Sequence, residues 1–218
     1  MTLNLALRLG CKGGAAGKTL TFLQGTADAA NASVYTFTAQ NLGAAASDRR
    51  IIVSFGARAV GGTAMSVSSI TVGGISATIN AQTANTSADV CLVATATAHV
   101  PTGTSGDIVV TVSRSCVRAG ITVYSASGLT SEVASDSDTS TAVSPATSSV
   151  TIPSGGFMVG FAVSSGASAA TWSGLTEDFD GVSEGSLVYT SASSSTVGTP
   201  SVSAVMGGSA PVGVFVAW

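Results

Sequence analysis

Apolar and polar residues alternate with a period of two along most of this chain, and the alternation is cleanest between Val67 and Gln82. Two runs, Val67-Ser-Ser-Ile-Thr-Val72 and Ile75-Ser-Ala-Thr-Ile79, flank the dipeptide Gly73-Gly74. A two-residue hairpin turn needs positive φ, which glycine adopts without steric penalty. The spacing predicts Val72 opposite Ile75, Ile70 opposite Ala77 and Ser68 opposite Ile79 on an apolar face. The opposite face pairs Thr71 with Ser76 and Ser69 with Thr78, so period, turn chemistry and β-branched content specify one register.

The same pattern fills the chain from Val34 onward. Tyr35 and Phe37 alternate inward, Asn41 to Asp48 reads as a loop or a single helical turn, and Ile51, Val53, Phe55 and Ala57 form the next inward row between Arg50 and Arg58. Ala88 to Ala98 is a long alternating strand; Pro101 to Gly106 turns the chain into Ile108, Val110 and Val112, and Val117 to Ala126 follows. The Ser/Thr-rich tract Gly128 to Ser149 reads as a long surface loop, because Val150 to Pro153 and Phe157, Val159, Phe161 and Val163 resume the pattern at once. In that last run Met158, Gly160 and Ala162 are uncharged too, which predicts a central strand covered on both faces. Trp172, Leu175 and Phe179 surround an acidic turn, and Leu187 with Tyr189, Val202 to Val205, and Val212, Val214, Val216 and Trp218 complete about twelve strands. No stretch keeps apolar residues at a 3.6 period with a charged opposite face, so no ordinary helix is expected. The fold class predicted is all-β: one antiparallel, jelly-roll-like sandwich over residues 31–218.

Residues 1–30 differ. Leu3, Leu5, Leu7 and Leu9 alternate with Thr2, Asn4, Ala6 and Arg8, and the glycine-rich stretch Gly10 to Gly17 follows. Arg8, Lys12 and Lys18 are basic, and no acid precedes Asp28. Two readings stand: an extended N-terminal arm whose leucine-faced strand adds to a neighbour's sheet edge, or the first strand of the sandwich itself. The arm is the expectation taken forward, with Leu3, Leu5, Leu7, Leu9, Arg8, Lys12 and Lys18 as its interaction residues.

Composition then narrows the function classes. Only 9% of the 218 residues are charged, against about a quarter in ordinary globular chains, so hydroxyls, glycine and alanine must cover much of the surface. Such surfaces suit close, repeated protein contacts. The net charge of -3 provides no field for nucleic acid. The longest apolar run, near Gly156 to Val163, is far below the roughly 20 residues of a spanning helix, so no membrane partner is expected. Leu9-Gly10-Cys11 lacks the apolar core of a lipoprotein leader, since Asn4 and Arg8 interrupt it. Cys11, Cys91 and Cys116 are odd in number and widely spaced, which predicts free thiols and a reducing compartment.

Candidate chemistry is weak throughout. Gly13-Gly-Ala-Ala-Gly17-Lys18-Thr19 has too few residues between its first glycine and the Gly-Lys pair to wrap phosphates, and a strand pattern follows where a helix should begin. His99 stands alone beside Pro101, no G-x-S-x-G elbow exists, and Glu177-Asp178-Phe-Asp180-Gly181 does not follow a calcium-loop spacing. Few aromatic residues accompany the carboxylates for sugar hydrolysis. No enzyme activity and no cofactor or metal are expected.

As a set, Val34-Tyr-Thr-Phe-Thr38, Ala46-Ser-Asp-Arg-Arg-Ile-Ile-Val53, Ile70-Thr-Val-Gly-Gly-Ile-Ser-Ala-Thr78 and Trp172-Ser-Gly-Leu-Thr-Glu-Asp-Phe-Asp180 resemble the Ser/Thr/Gly-rich β-sandwich accessory proteins of tailed-bacteriophage virions, over about residues 33–218. The resemblance implies a non-enzymatic virion structural protein, assembled in the host cytoplasm. A head decoration or similar accessory component fits best, with other virion proteins and further copies of itself as partners. The alternative is a tail-fibre or glycan-binding module, which would need aromatic residues such as Trp172, Tyr189 and Tyr124 to converge at the surface.

Overall fold

The computed structural model describes residues 17–141 and 144–218. The chain there forms seventeen strands and no helix. The first nine are β1 (Thr19–Asp28), β2 (Ala32–Asn41), β3 (Arg50–Val60), β4 (Val67–Val72), β5 (Ile75–Ser76), β6 (Thr78–Ala84), β7 (Asp89–His99), β8 (Ser105–Cys116) and β9 (Arg118–Ser127). The remaining eight are β10 (Asp136–Thr141), β11 (Ala146–Ser148), β12 (Met158–Ser165), β13 (Ala170–Ser173), β14 (Thr176–Ser183), β15 (Leu187–Ser194), β16 (Val202–Met206) and β17 (Ser209–Ala217). All pairings are antiparallel.

The hairpin forms with the expected turn. Gly73 and Gly74 have φ of 57° and 80°, Val72 pairs with Ile75, Thr71 pairs with Ser76, and the Ala77 N–H donates to the Ile70 carbonyl at 2.9 Å. Beyond Ala77 the expected register ends, because the chain leaves this sheet: Thr78 and Ile79 pair with Thr97 and Ala96 of β7. Ile75 consequently lies at a short sheet edge and is 39% exposed, while Val72 and Ile70 are buried.

Four sheets result. Sheet I is β2-β8-β4-β5, sheet II is β1-β9-β3-β7-β6, sheet III is β10-β17-β12-β15-β14, and sheet IV is β11-β16-β13. They stack in that order, since one core cluster fills the space between I and II, a second between II and III, and a third between III and IV. The inner sheets therefore have no solvent face. β3 sends Ile51, Val53, Phe55 and Ala57 toward sheet I and Ile52 toward sheet III, and β12 is buried along its whole length, as its two uncharged faces predicted. Ser54 and Thr95 pair their buried hydroxyls across β3 and β7 at 2.9 Å, whereas the buried hydroxyls of Thr122 and Ser164 find no partner among the described residues.

The two halves share one strand order. Treating β5 and β6 as a single strand that changes sheet, each half has eight strands, with its inner sheet ordered one, eight, three, six, five and its outer sheet two, seven, four. That interleaving is the jelly-roll order. The sandwich expected over residues 31–218 is thus two sandwiches placed back to back, and the seventeen strands exceed the expected twelve chiefly where polar edge strands hid from the pattern. The tract read as a surface loop contains β10 and β11, the acidic turn is the strand β14, and Thr19–Asp28, assigned to the arm and hinge, is the edge strand of sheet II.

Sheets II and III cross reciprocally. β1 lies over β14 as β10 lies over β6, β9 meets β15 as β17 meets β7, and β3 crosses β12 in the middle. Reciprocity of this kind marks isologous pairing about a two-fold axis.

Candidate functional site

The seam between sheets II and III gathers most of the large aromatic residues and most of the charge pairs. At its β1/β14 side Phe22 meets Tyr124 edge-on at 5.3 Å and Phe179 stacked at 5.9 Å, and Phe179 lies 5.4 Å from Tyr189. The rings approach because their opposing positions are glycine. A Cβ on Gly120 would lie 2.7 Å from the Tyr189 ring, and one on Gly25 would enter the Phe179 ring. Tyr124, fully buried, donates its hydroxyl to Asp178 Oδ2 at 3.0 Å. Burial, and then the Asp178 charge, push its phenol well above the ordinary range.

Polar links ring the seam. Arg58 pairs with Asp89 at 2.7 Å, and Asp89 also accepts from Ser165 of sheet III at 2.9 Å. Arg118 reaches Glu184 at 2.8 Å, Arg50 faces Glu132 at 3.8 Å and donates to the Leu129 carbonyl, and Asn85 donates to the Ala210 carbonyl at 2.7 Å. The links that cross from one sandwich to the other are Arg118–Glu184, Ser165–Asp89 and Asn85–Ala210, whereas Arg58–Asp89 lies within sheet II; ion pairs open to solvent contribute little to stability.

Two clefts open along the seam at reciprocal edges. One, of about 520 Å³, lies where Lys18, Thr19 and Leu20 lead into β1 against Thr176, Asp178 and the hydroxyl run Ser193 to Thr196. The other, of about 370 Å³, lies between Thr78–Asn80 and Val133–Ser137. A third space of about 150 Å³ joins Lys18, Trp218 and the connection between the halves. Lys18, the one predicted interaction residue among the described residues, borders two of the three. Leu3, Leu5, Leu7, Leu9, Arg8 and Lys12 lie outside the described residues.

Trp172, Tyr189 and Tyr124 do not meet at the surface. Tyr124 and Tyr189 belong to the seam core, whereas Trp172 covers Gly160 between sheets III and IV and donates its indole N–H to Thr190 Oγ1 at 2.8 Å. Among the described residues the remaining reactive groups are occupied or inert. His99 Nε2 sits 2.8 Å from the Ser47 carbonyl, and burial pushes the Cys91 and Cys116 thiols up to about 12 and about 11. Among the described residues no three His, Cys, Asp or Glu side chains gather as a metal site would require.

One residue the sequence left unmarked organises the neighbouring loops. Arg49 is buried without a carboxylate and donates to five carbonyls: Val100 at 2.7 Å, Leu42 at 3.1 Å, Gly43 at 2.8 Å, Thr102 at 2.8 Å and Gly103 at 2.7 Å. Its acceptors are all backbone, so no spacing of side chains could have marked it. Burial lowers its pKa. No protein-family model, curated protein or solved structure matches the chain.

Proposed function

We propose that this protein is a non-enzymatic structural component of a tailed-bacteriophage virion, a head decoration or similar accessory subunit held by residues 1–16. The observation that carries the reading is the chemistry of the two outer faces. On sheet I the outward rows are Val34, Thr111 and Ser69, then Thr36, Val109 and Thr71. On sheet IV they are Thr147, Ser203 and Ser173, then Val205 and Thr171. These rows present short, hydrogen-bonding or small apolar side chains, and charge enters sheet I only toward the end of its β8 row, where the exposed Asp107 follows Val109. Such a face meets a protein neighbour with little desolvation cost, and the low charge of the whole sequence agrees with a subunit packed in many copies.

The test is a truncation that removes residues 1–16 and spares β1. The expected product is a soluble β protein with the wild-type circular dichroism that no longer joins particles during assembly. Full occupancy of particles by the truncated chain overturns the anchoring role, and absence of the full-length chain from purified particles overturns the virion reading.

A second reading, a glycan-binding module, is favoured by one feature: the 520 Å³ cleft is lined by hydroxyls with Asp178 and Lys18 at hand. Glycan-array screening of the full chain checks it, and no retained glycan at millimolar concentration removes it.

A further inference from the structure

We infer that the chain is a dimer of one eight-stranded unit fused into a single polypeptide, and that a recess on sheet II and a projection on sheet III make these two sheets take each other rather than copies of themselves. Three observations lead there. The halves share one strand order, and their inner sheets cross reciprocally. A trace of common sequence survives at matching places: Thr71-Val72-Gly73-Gly74-Ile75 ends β4, and Thr171-Trp172-Ser173-Gly174-Leu175 ends β13. Gly74 and Gly174 have φ of 80° and 79°, while Thr71 pairs with Val109 and Thr171 with Val205.

The third observation lies on the axis itself. Gly56 is on the third strand of its unit, between Gly120 of the eighth and Val93 of the sixth. Val163 is on the third strand of the other unit, between Val212 of the eighth and Tyr189 of the sixth. These counterparts touch: a Cβ on Gly56 would overlap Val163 Cγ1 and stand 3.0 Å from Phe161. A residue on a two-fold axis meets its own counterpart. If sheet II met a second sheet II, Gly56 would face Gly56 across a void. If sheet III met a second sheet III, Val163 would press on Val163 with no recess to enter. Voids and overlaps both cost stability, so only the II-on-III combination fills the seam. The original symmetric contact has become one with unlike halves.

The test transposes the projection. Gly56→Val alone and Val163→Gly alone should each lower the melting temperature by roughly 3 to 10 °C, one by overlap and the other by a void. The double variant carries the projection on the other sheet at the same axial point, and should recover most of that loss. A double variant no more stable than the worse single one overturns the inference. A control combines Gly56→Val with Val214→Gly, which removes the same volume from the seam away from the axis; equal recovery there also overturns it. If Gly56→Val does not fold, Gly56→Ala with Val163→Ala is read by the same two criteria.

Discussion

Gly74 and Gly174 take the same left-handed backbone at the same place in the two units, but their surroundings differ. Nothing lies within 4 Å of a Cβ on Gly74, whereas one on Gly174 would overlap the Ser201 carbonyl oxygen. Gly74→Ala should therefore cost only the backbone penalty, about 1–2 kcal/mol. Gly174→Ala should cost more by a further 1–3 kcal/mol or so, for the overlap. Urea unfolding of the two variants measures the difference, and equal costs would show that position 174 relaxes freely. The tyrosines make a second residue-scale prediction. All three are buried, and burial pushes Tyr189 up to about 12 and raises Tyr35 and Tyr124 well above their ordinary value of 10.0. Their folded pKa values exceed the unfolded ones, so the stability they contribute is complete below about pH 10 and is lost as pH rises through the folded values. Absorbance at 295 nm should show no tyrosinate before the protein unfolds in base, and a gradual rise near pH 10 in the folded state would contradict this.

The central strand β12 was legible, because Met158, Gly160 and Ala162 leave it uncharged on both faces, whereas β3 and β7 read as strands with one inward row although they too are buried along most of their length. Edge strands were not legible. In β10, Asp136, Ser137, Asp138 and Thr139 occupy a strand with one partner, and their local hydrogen bonds to Ser149 and Thr151 give the sequence the look of a loop. The crossing after Ala77 was hidden for a different reason. Ile79 suits the core of either sandwich sheet, so alternation alone does not say which sheet receives it. An edge also carries a prediction. Sheet I pairs β5 beside β4, but among the described residues sheet IV has no strand on the side of β13 away from β16, and the Ala170 N–H there donates instead to Asp180 Oδ2 at 3.0 Å. Asp180→Ala would leave that edge open to another strand. Light scattering should then report more association than the wild-type protein shows, and a variant that associates no more than the wild type would show that β13 is protected by other means.

At the scale of the molecule, fold class was readable from periodicity, while the doubling was not, because the halves preserve the direction in which side chains face and not the side chains. Gly56 answers to Val163, and Gly120 to Val212. The clefts were equally hidden, since Lys18 and Asp178, or Thr78 and Asp136, come together only once two sandwiches are stacked. The small space shared by Lys18, Trp218 and residues Leu129 to Ser135 has a consequence of its own. About the axis, the route from β9 into β10 corresponds to a route from Trp218 into Lys18 that the chain does not take, although its two ends border one cavity. The order of the halves along the polypeptide is therefore arbitrary as far as packing is concerned. A circular permutant that begins at Ser131, runs through Trp218 into Lys18 by a short glycine linker and ends at Thr130 should fold to the same sheets. Its expected signature is an unchanged circular dichroism spectrum and one cooperative melting transition, whereas a permutant that collapses or aggregates would mean that the direct connection between β9 and β10 is needed to bring the halves into register.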